Sequence, residues 1–179
     1  RSLGAAWYLP EERQITTTEQ ILDDMCAALG GRAAEEVAFG KISTGALSDL
    51  EKVTKQAYAM VTIYGLNEKI GNRSYYDSSG DSQFQKPYSD ETARIIDEET
   101  SKIIEAAYVK AKELLSTHRD QLDRLAEKLL EKEVIFKDDL EAVLGARPWG
   151  EEAKVESAPP ALENPAEEAD SNVEGGVNE

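Results

Sequence analysis

The chain has 179 residues, with 20 lysines and arginines against 36 aspartates and glutamates, and a formal net charge of −16. Nucleic acid and anionic membrane surfaces are recognised by clustered basic residues, so both are excluded as partners on charge. One cysteine, Cys26, leaves no internal disulfide, and no apolar run approaches the ~18 residues that a membrane span needs.

The first segment, "SLGAAWYLP", reads as a short extended stretch ended by Pro10. It starts on Arg1, with neither an initiator methionine nor a signal peptide, and is read as part of something longer. Thr16 and Thr17 then offer N-caps, with Glu19 and Gln20 at capping-box spacing. Ile21, Met25, Ala28 and Leu29 follow on one helical face. Cys26 lies in that apolar run and reads as a small buried hydrophobe. Gly30 and Gly31 interrupt the helix, since glycine costs about 1 kcal/mol in a helix interior. A second piece runs from Arg32 to Ala38, with Glu35 and Glu36 on a solvated face.

A small-residue loop, Ser43-Thr44-Gly45-Ala46, leads to the next helix. Ser48 and Glu51 match a capping box, and Leu50, Val53, Ala57, Met60, Val61 and Tyr64 keep helical spacing. Asp49 sits at the helix start, where a carboxylate stabilises the N-terminus by about 0.3–1 kcal/mol. Gly65 suits the left-handed position that closes a helix. Residues 66–88 have no helical period and read as a long loop, with a short strand at Arg73 to Tyr76.

Ser89 caps a long helix with a buried stripe of Ile96, Thr100, Ile103, Ala107, Ala111 and Leu114. After a break at Thr117 to Asp120, Leu122, Leu125 and Leu129 mark a further helix, and "KDDLEAVLG" a last one closing on Gly145. From Glu151 to Glu179 nine acidic residues accompany one base, Lys154, so that stretch carries −8, half of the total. With three prolines and no aromatics it is expected to be disordered. The fold class is therefore mainly α: a helical bundle over residues 1–150 with a short extended N-terminal segment, followed by a disordered acidic tail over 151–179.

A complete active site is absent from these residues. The only histidine, His118, falls at a helix break, where a polar ring caps or faces water. There is no HExxH, no CxxC and no phosphate-cradling glycine loop.

In order, "WYLP", "LGGRAAEEVAFG", "STGALSDLEKVTKQAYAMVTIYG", "KPYSDETARIIDEE" and "LLEKEV" resemble the peptidase domain of FtsH-type ATP-dependent zinc metalloproteases, both the bacterial enzymes and their mitochondrial m-AAA relatives. The resemblance covers about residues 3–149 and leaves out the tail. It implies a membrane-anchored parent in which an AAA+ ATPase module, using ATP, precedes this helical domain, and six subunits form a ring that threads unfolded or membrane polypeptides inward. It implies zinc, held by two histidines of an HExxH helix and by a downstream aspartate. Asp49, in "STGALSDL", matches that aspartate; the HExxH helix, with the general-base glutamate, is expected ahead of Arg1. Catalytic zinc takes three protein ligands and keeps one position open, so this fragment alone is expected to be inactive.

Glu35, in "GGRAAEE", matches a family glutamate near the site and is a candidate for orienting a histidine ligand. "GAAWYLP" is similar to a segment beside the active site, making Ala6 and Trp7 candidates for pairing with a substrate strand; Trp7 and Tyr8 equally suit core packing. Localisation by resemblance is a bacterial inner membrane with this domain on the cytoplasmic side, or the mitochondrial inner membrane, matrix side. A non-catalytic oligomerisation module of an AAA+ ring is the alternative. The fragment itself has no expected membrane contact.

Overall fold

The computed structural model describes residues 15–76 and 87–146. Six helices follow in order: α1 Thr18–Ala28, α2 Gly30–Phe39, α3 Leu47–Thr62, α4 Asp90–Thr117, α5 Arg119–Lys132 and α6 Lys137–Leu144, with a one-turn 3-10 helix, Thr44–Ala46, immediately before α3. The mainly α reading is therefore correct. The extended N-terminal segment and the acidic tail lie outside the described residues.

α4 is the spine. At about 1.5 Å per residue it is long enough to run past the other three helices of the body, and it packs against α1, α2 and α3. The main core joins Ile21, Met25 and Leu29 to Val53, Ala57 and Met60 and to Ala107. Two smaller clusters extend it: Cys26, Ala33 and Ala111 toward α2, and Val61, Ile70 and Ile96 at the other end of α3. α4 thus runs back along α3, its early residues meeting the late residues of α3.

Local chemistry sets the starts of α1 and α4. Thr17 and Gln20 form a reciprocal capping box on α1, and the Ser89 hydroxyl accepts from the Thr92 N–H on α4. The α1–α2 break falls at Leu29, whose side chain is buried, and both glycines open α2 rather than lying between helices.

Three expectations are corrected. Ser48 caps nothing: α3 begins one residue earlier, its N-cap is Ala46, and no side-chain hydrogen bond closes that end. The stretch Arg73 to Tyr76 is not a strand; the Tyr75 N–H donates to the Thr62 carbonyl at 2.7 Å, so the chain folds back on the end of α3 instead of pairing with another extended segment. The apolar stripes also overrun the core. Tyr64 lies past the end of α3 and is exposed, as are Leu114 and Leu129, because no described element covers those turns.

Candidate metal site at the start of α3

Four features bring Asp49 to its place. Gly40 ends α2 with φ +63°, a left-handed turn that a side chain would strain. Residues 41–43 cross from there to the 3-10 turn. Ser43, in extended conformation, caps that turn with its hydroxyl accepting from the Gly45 N–H at 3.2 Å. The turn runs directly into α3, with Asp49 in the first helical turn, half-buried.

Glu35 fixes this crossing from α2. Its Oε2 accepts from the Ser43 N–H and its Oε1 from the Ser43 hydroxyl, both at 2.7 Å. These bonds hold the Glu35 carboxyl below the usual carboxylate range. Glu36 does not face solvent freely as a plain helix-surface carboxylate would. It accepts from the Tyr108 hydroxyl and, at 3.3 Å, from Lys112. Its carboxyl is lowered by these partners, the Tyr108 bond first, and Lys112 also stands 4.8 Å from the centre of the Tyr108 ring. The Arg119 guanidinium donates to the Val37 carbonyl at 2.7 Å. Adjacent residues of α2 thus tie that helix to the Asp49 loop on one side and to α4 and α5 on the other.

No side chain among the described residues forms a hydrogen bond with the Asp49 carboxylate, and no three His, Cys, Asp or Glu groups among them are placed to hold a metal ion. A half-buried carboxylate without a described partner fits a metal centre as one oxygen donor, and a hard anionic oxygen is a normal zinc ligand. A site using it takes its other protein ligands from outside the described residues. Glu35 is brought to the Asp49 loop through Ser43. Ala6 and Trp7 lie outside the described residues.

The other reactive groups singled out in the sequence are His118, at the α4–α5 joint with an exposed side chain, and Cys26 on α1. His118 joins α4 to α5: its N–H donates to the Leu114 carbonyl at 3.0 Å and its carbonyl accepts from Gln121 and Leu122 at 3.1 Å. Burial pushes the Cys26 thiol up, away from reactivity. The residue that sequence reading passed over is Ser43. Its spacing to Gly45 is that of a serine turn, a signal present in the sequence; the bond to Glu35, eight positions earlier, is not.

Comparison with known proteins places residues 1–143 in Peptidase family M41. The "ATP-dependent zinc metalloprotease FtsH" of Parabacteroides distasonis is 59% identical over 150 residues, covering 83% of this chain and 22% of the relative. A rice protein (Oryza sativa subsp. japonica), "ATP-dependent zinc metalloprotease FTSH 8, mitochondrial", is 51% identical over 148 residues, covering 83% and 18%. The mouse (Mus musculus) "Mitochondrial inner membrane m-AAA protease component AFG3L1" is 45% identical over 157 residues, covering 87% and 20%. The chain spans about a fifth of the length of these curated relatives.

Proposed function

This chain belongs to peptidase family M41, and from that premise we propose that it is the helical peptidase portion, residues 1–150, of an ATP-dependent, membrane-anchored zinc metalloendopeptidase acting on unfolded or membrane polypeptides. Asp49 supplies the third protein ligand to zinc. The other two are the histidines of an HExxH helix ahead of Arg1, which also brings the general-base glutamate. Zinc supplies the Lewis acidity for attack of water on a peptide carbonyl.

The contribution of this chain is placement. The 3-10 turn delivers the Asp49 carboxylate at a fixed height in the first turn of α3, and Glu35 pins that turn to α2. Ala6 and Trp7 are the candidates, by resemblance alone, for pairing with the substrate backbone. The observation that carries the reading is Asp49 itself: a half-buried carboxylate, unpartnered among the described residues, at the matching position of "STGALSDL".

The parent is proposed to be a homo-oligomeric, six-membered ring, as the resemblance implies, with ATP used in a separate module. The printed name of the mouse relative, a mitochondrial inner membrane protease component, supports an inner-membrane setting; a bacterial inner membrane is the setting that the resemblance implies. No helix among the described residues is long and apolar enough to cross a membrane. A purely structural role in assembling that ring is favoured by one feature, the exposed apolar residues Leu130, Val134, Phe136 and Leu144 of the α5–α6 pair. The two roles are compatible in one chain.

Asp49→Asn in the full-length protein tests the ligand assignment. It keeps the size and a hydrogen-bonding oxygen but removes the anionic donor. Zinc content and protein degradation are expected to collapse while the helical spectrum stays near wild type. Full zinc with normal degradation would sink the assignment.

A further inference from the structure

We propose that Ser43 is a positioning residue for the metal site, forming with Glu35 a two-point latch that sets the direction of the Asp49 carboxylate. The inference rests on the reading of Asp49 as a zinc ligand and goes beyond it by naming what aims that ligand.

Three contacts converge on one serine. Its N–H and its hydroxyl both donate to the Glu35 carboxylate, one to each oxygen, at 2.7 Å. The same hydroxyl oxygen accepts from the Gly45 N–H at 3.2 Å. A hydroxyl is required, because only it donates and accepts from one atom in so short a side chain. The relay runs from Gly45 through Ser43 to Glu35, so the 3-10 turn is anchored at both its entry and its middle.

α3 has no device of its own to do this. Its N-cap is Ala46, without a side-chain hydrogen bond. The 3-10 turn continues into α3 without an intervening residue, so the angle of the turn is the angle of the first turn of α3. The other end of the latch is firm. Glu36, beside Glu35, is engaged by Tyr108 and Lys112 of α4, and the Val37 carbonyl by Arg119. Helix α2 is therefore a fixed mount, with Glu35 reaching forward from it. Each Glu35 oxygen keeps a further lone pair, so the latch leaves room for a histidine N–H on the same carboxylate.

The bonds are solvent-accessible, and exposed bonds of this kind contribute little to global stability. A positioning role consequently has a distinctive signature: metal affinity falls while the folding stability of the zinc-free protein does not. Ser43→Ala in the full-length protein, studied by chelator competition for zinc, is expected to weaken zinc binding by about tenfold to a hundredfold, the usual effect of removing a group that orients a ligand. Thermal unfolding of the zinc-free protein should be unchanged and amide exchange at Gly45 faster. Ser43→Thr keeps the hydroxyl and should restore both affinity and protection. Glu35→Gln combined with Ser43→Ala should weaken zinc no more than the stronger single change, since both remove one latch.

Wild-type zinc affinity in Ser43→Ala overturns the proposal, whether or not the Gly45 amide has loosened. Weak zinc with an unaltered Gly45 amide overturns it too, because the turn would not have moved. Asp49→Asn run alongside separates the failures. If it keeps full zinc, the ligand reading falls and the latch with it; if it loses zinc while Ser43→Ala does not, the latch alone falls.

Discussion

In the α1–α4 body, Met25, Ala33, Val53, Ala57 and Val61 are fully buried, whereas α5 buries no residue at all and α6 buries only Val143. Both regions carry apolar residues at helical spacing. The body covers its stripes because three helices converge on one long spine, so each apolar face finds another. The α5–α6 pair has only two faces to offer, and Leu122 and Leu125 are half-covered while Leu130 stands 85% exposed. Charge compensates in part: Asp139, at the start of α6, meets Lys132 at 2.7 Å and Lys128 at 3.0 Å on α5 and also accepts from the Phe136 N–H. An amphipathic pattern states that a face wants cover; the number of helices within reach decides whether it gets it.

The largest test of this contrast is a pair of truncations. Met25→Ala removes a side chain with no exposed surface from the main core and should cost about 2–5 kcal/mol. Leu130→Ala should stay within about 0.5 kcal/mol, as surface changes do. Urea midpoints of the two variants give the comparison directly. Equal losses would mean that Leu130 is covered in solution, and the distinction between the regions would collapse.

A carboxylate gripped by two lysines occurs in both regions, and pH sharpens the difference. Glu99 of α4 meets Lys69 at 2.7 Å, Lys102 at 2.8 Å and the Asn67 amide at 3.1 Å, tying the loop after α3 to the spine. These donors, Lys102 first, hold its carboxyl down at about 2, against an ordinary 4.5. A depressed folded pKa contributes stability above the unfolded value and loses it as pH falls through the folded one. Glu99→Gln should therefore cost about 1 kcal/mol at neutral pH, a modest value because both lysines are more than half exposed. The gap to wild type should close between pH 4.5 and 2. A gap that is constant over that window, in urea unfolding at stepped pH, would show that the charge of Glu99 is not what anchors the loop.

Asp139→Asn asks the same of the outer pair. The carboxyl of Asp139 is likewise pulled below its usual range, by Lys132 first and then Lys128, so the variant loses both ion pairs. Hydrogen exchange should quicken in α6 while α1–α4 keep wild-type protection, since local openings follow local contacts. Loosening of the body in step with α6 would mean that the two regions fold as one unit.

How much of this was legible in the sequence follows the range of each interaction. Thr17 and Ser89 were readable as caps because their partners lie three residues on. The start of α3 was not. Ser48 and Glu51 have the spacing of a capping box, but Ser43 and Glu35, eight residues apart, order that end instead, and only the fold brings them together. Glu36 looked solvated for the same reason; its partners Tyr108 and Lys112 are more than seventy positions away. The overrun at Tyr64, Leu114 and Leu129 shows that periodicity identifies a face without measuring how far its cover extends. Asp49 was readable as a first-turn carboxylate from spacing; its candidacy as a metal ligand came from the resemblance of the surrounding motif, and the half-buried carboxylate now gives that candidacy a geometry to test.

The smallest expected effect concerns the joint between α5 and α6. Glu133 ends α5 with φ +62°, the only non-glycine residue with positive φ among the described residues. The Glu133 N–H donates to the Leu129 carbonyl at 2.8 Å, so the helix closes properly, but a Cβ in the left-handed region costs roughly 1–2 kcal/mol. Glycine removes that cost and adds unfolded-chain entropy, which offsets part of it. Glu133→Gly should therefore stabilise the α5–α6 joint by a net of about 0.5 kcal/mol, seen as slower exchange of the last α5 amides. The body should not respond, because its core does not reach this turn. If the variant instead speeds exchange there, the Glu133 side chain is making a stabilising contact that outweighs the backbone strain. If it raises the global unfolding midpoint by several degrees, the outer pair contributes to the stability of the whole, and the contrast between a covered body and a charge-held pair would have to be redrawn.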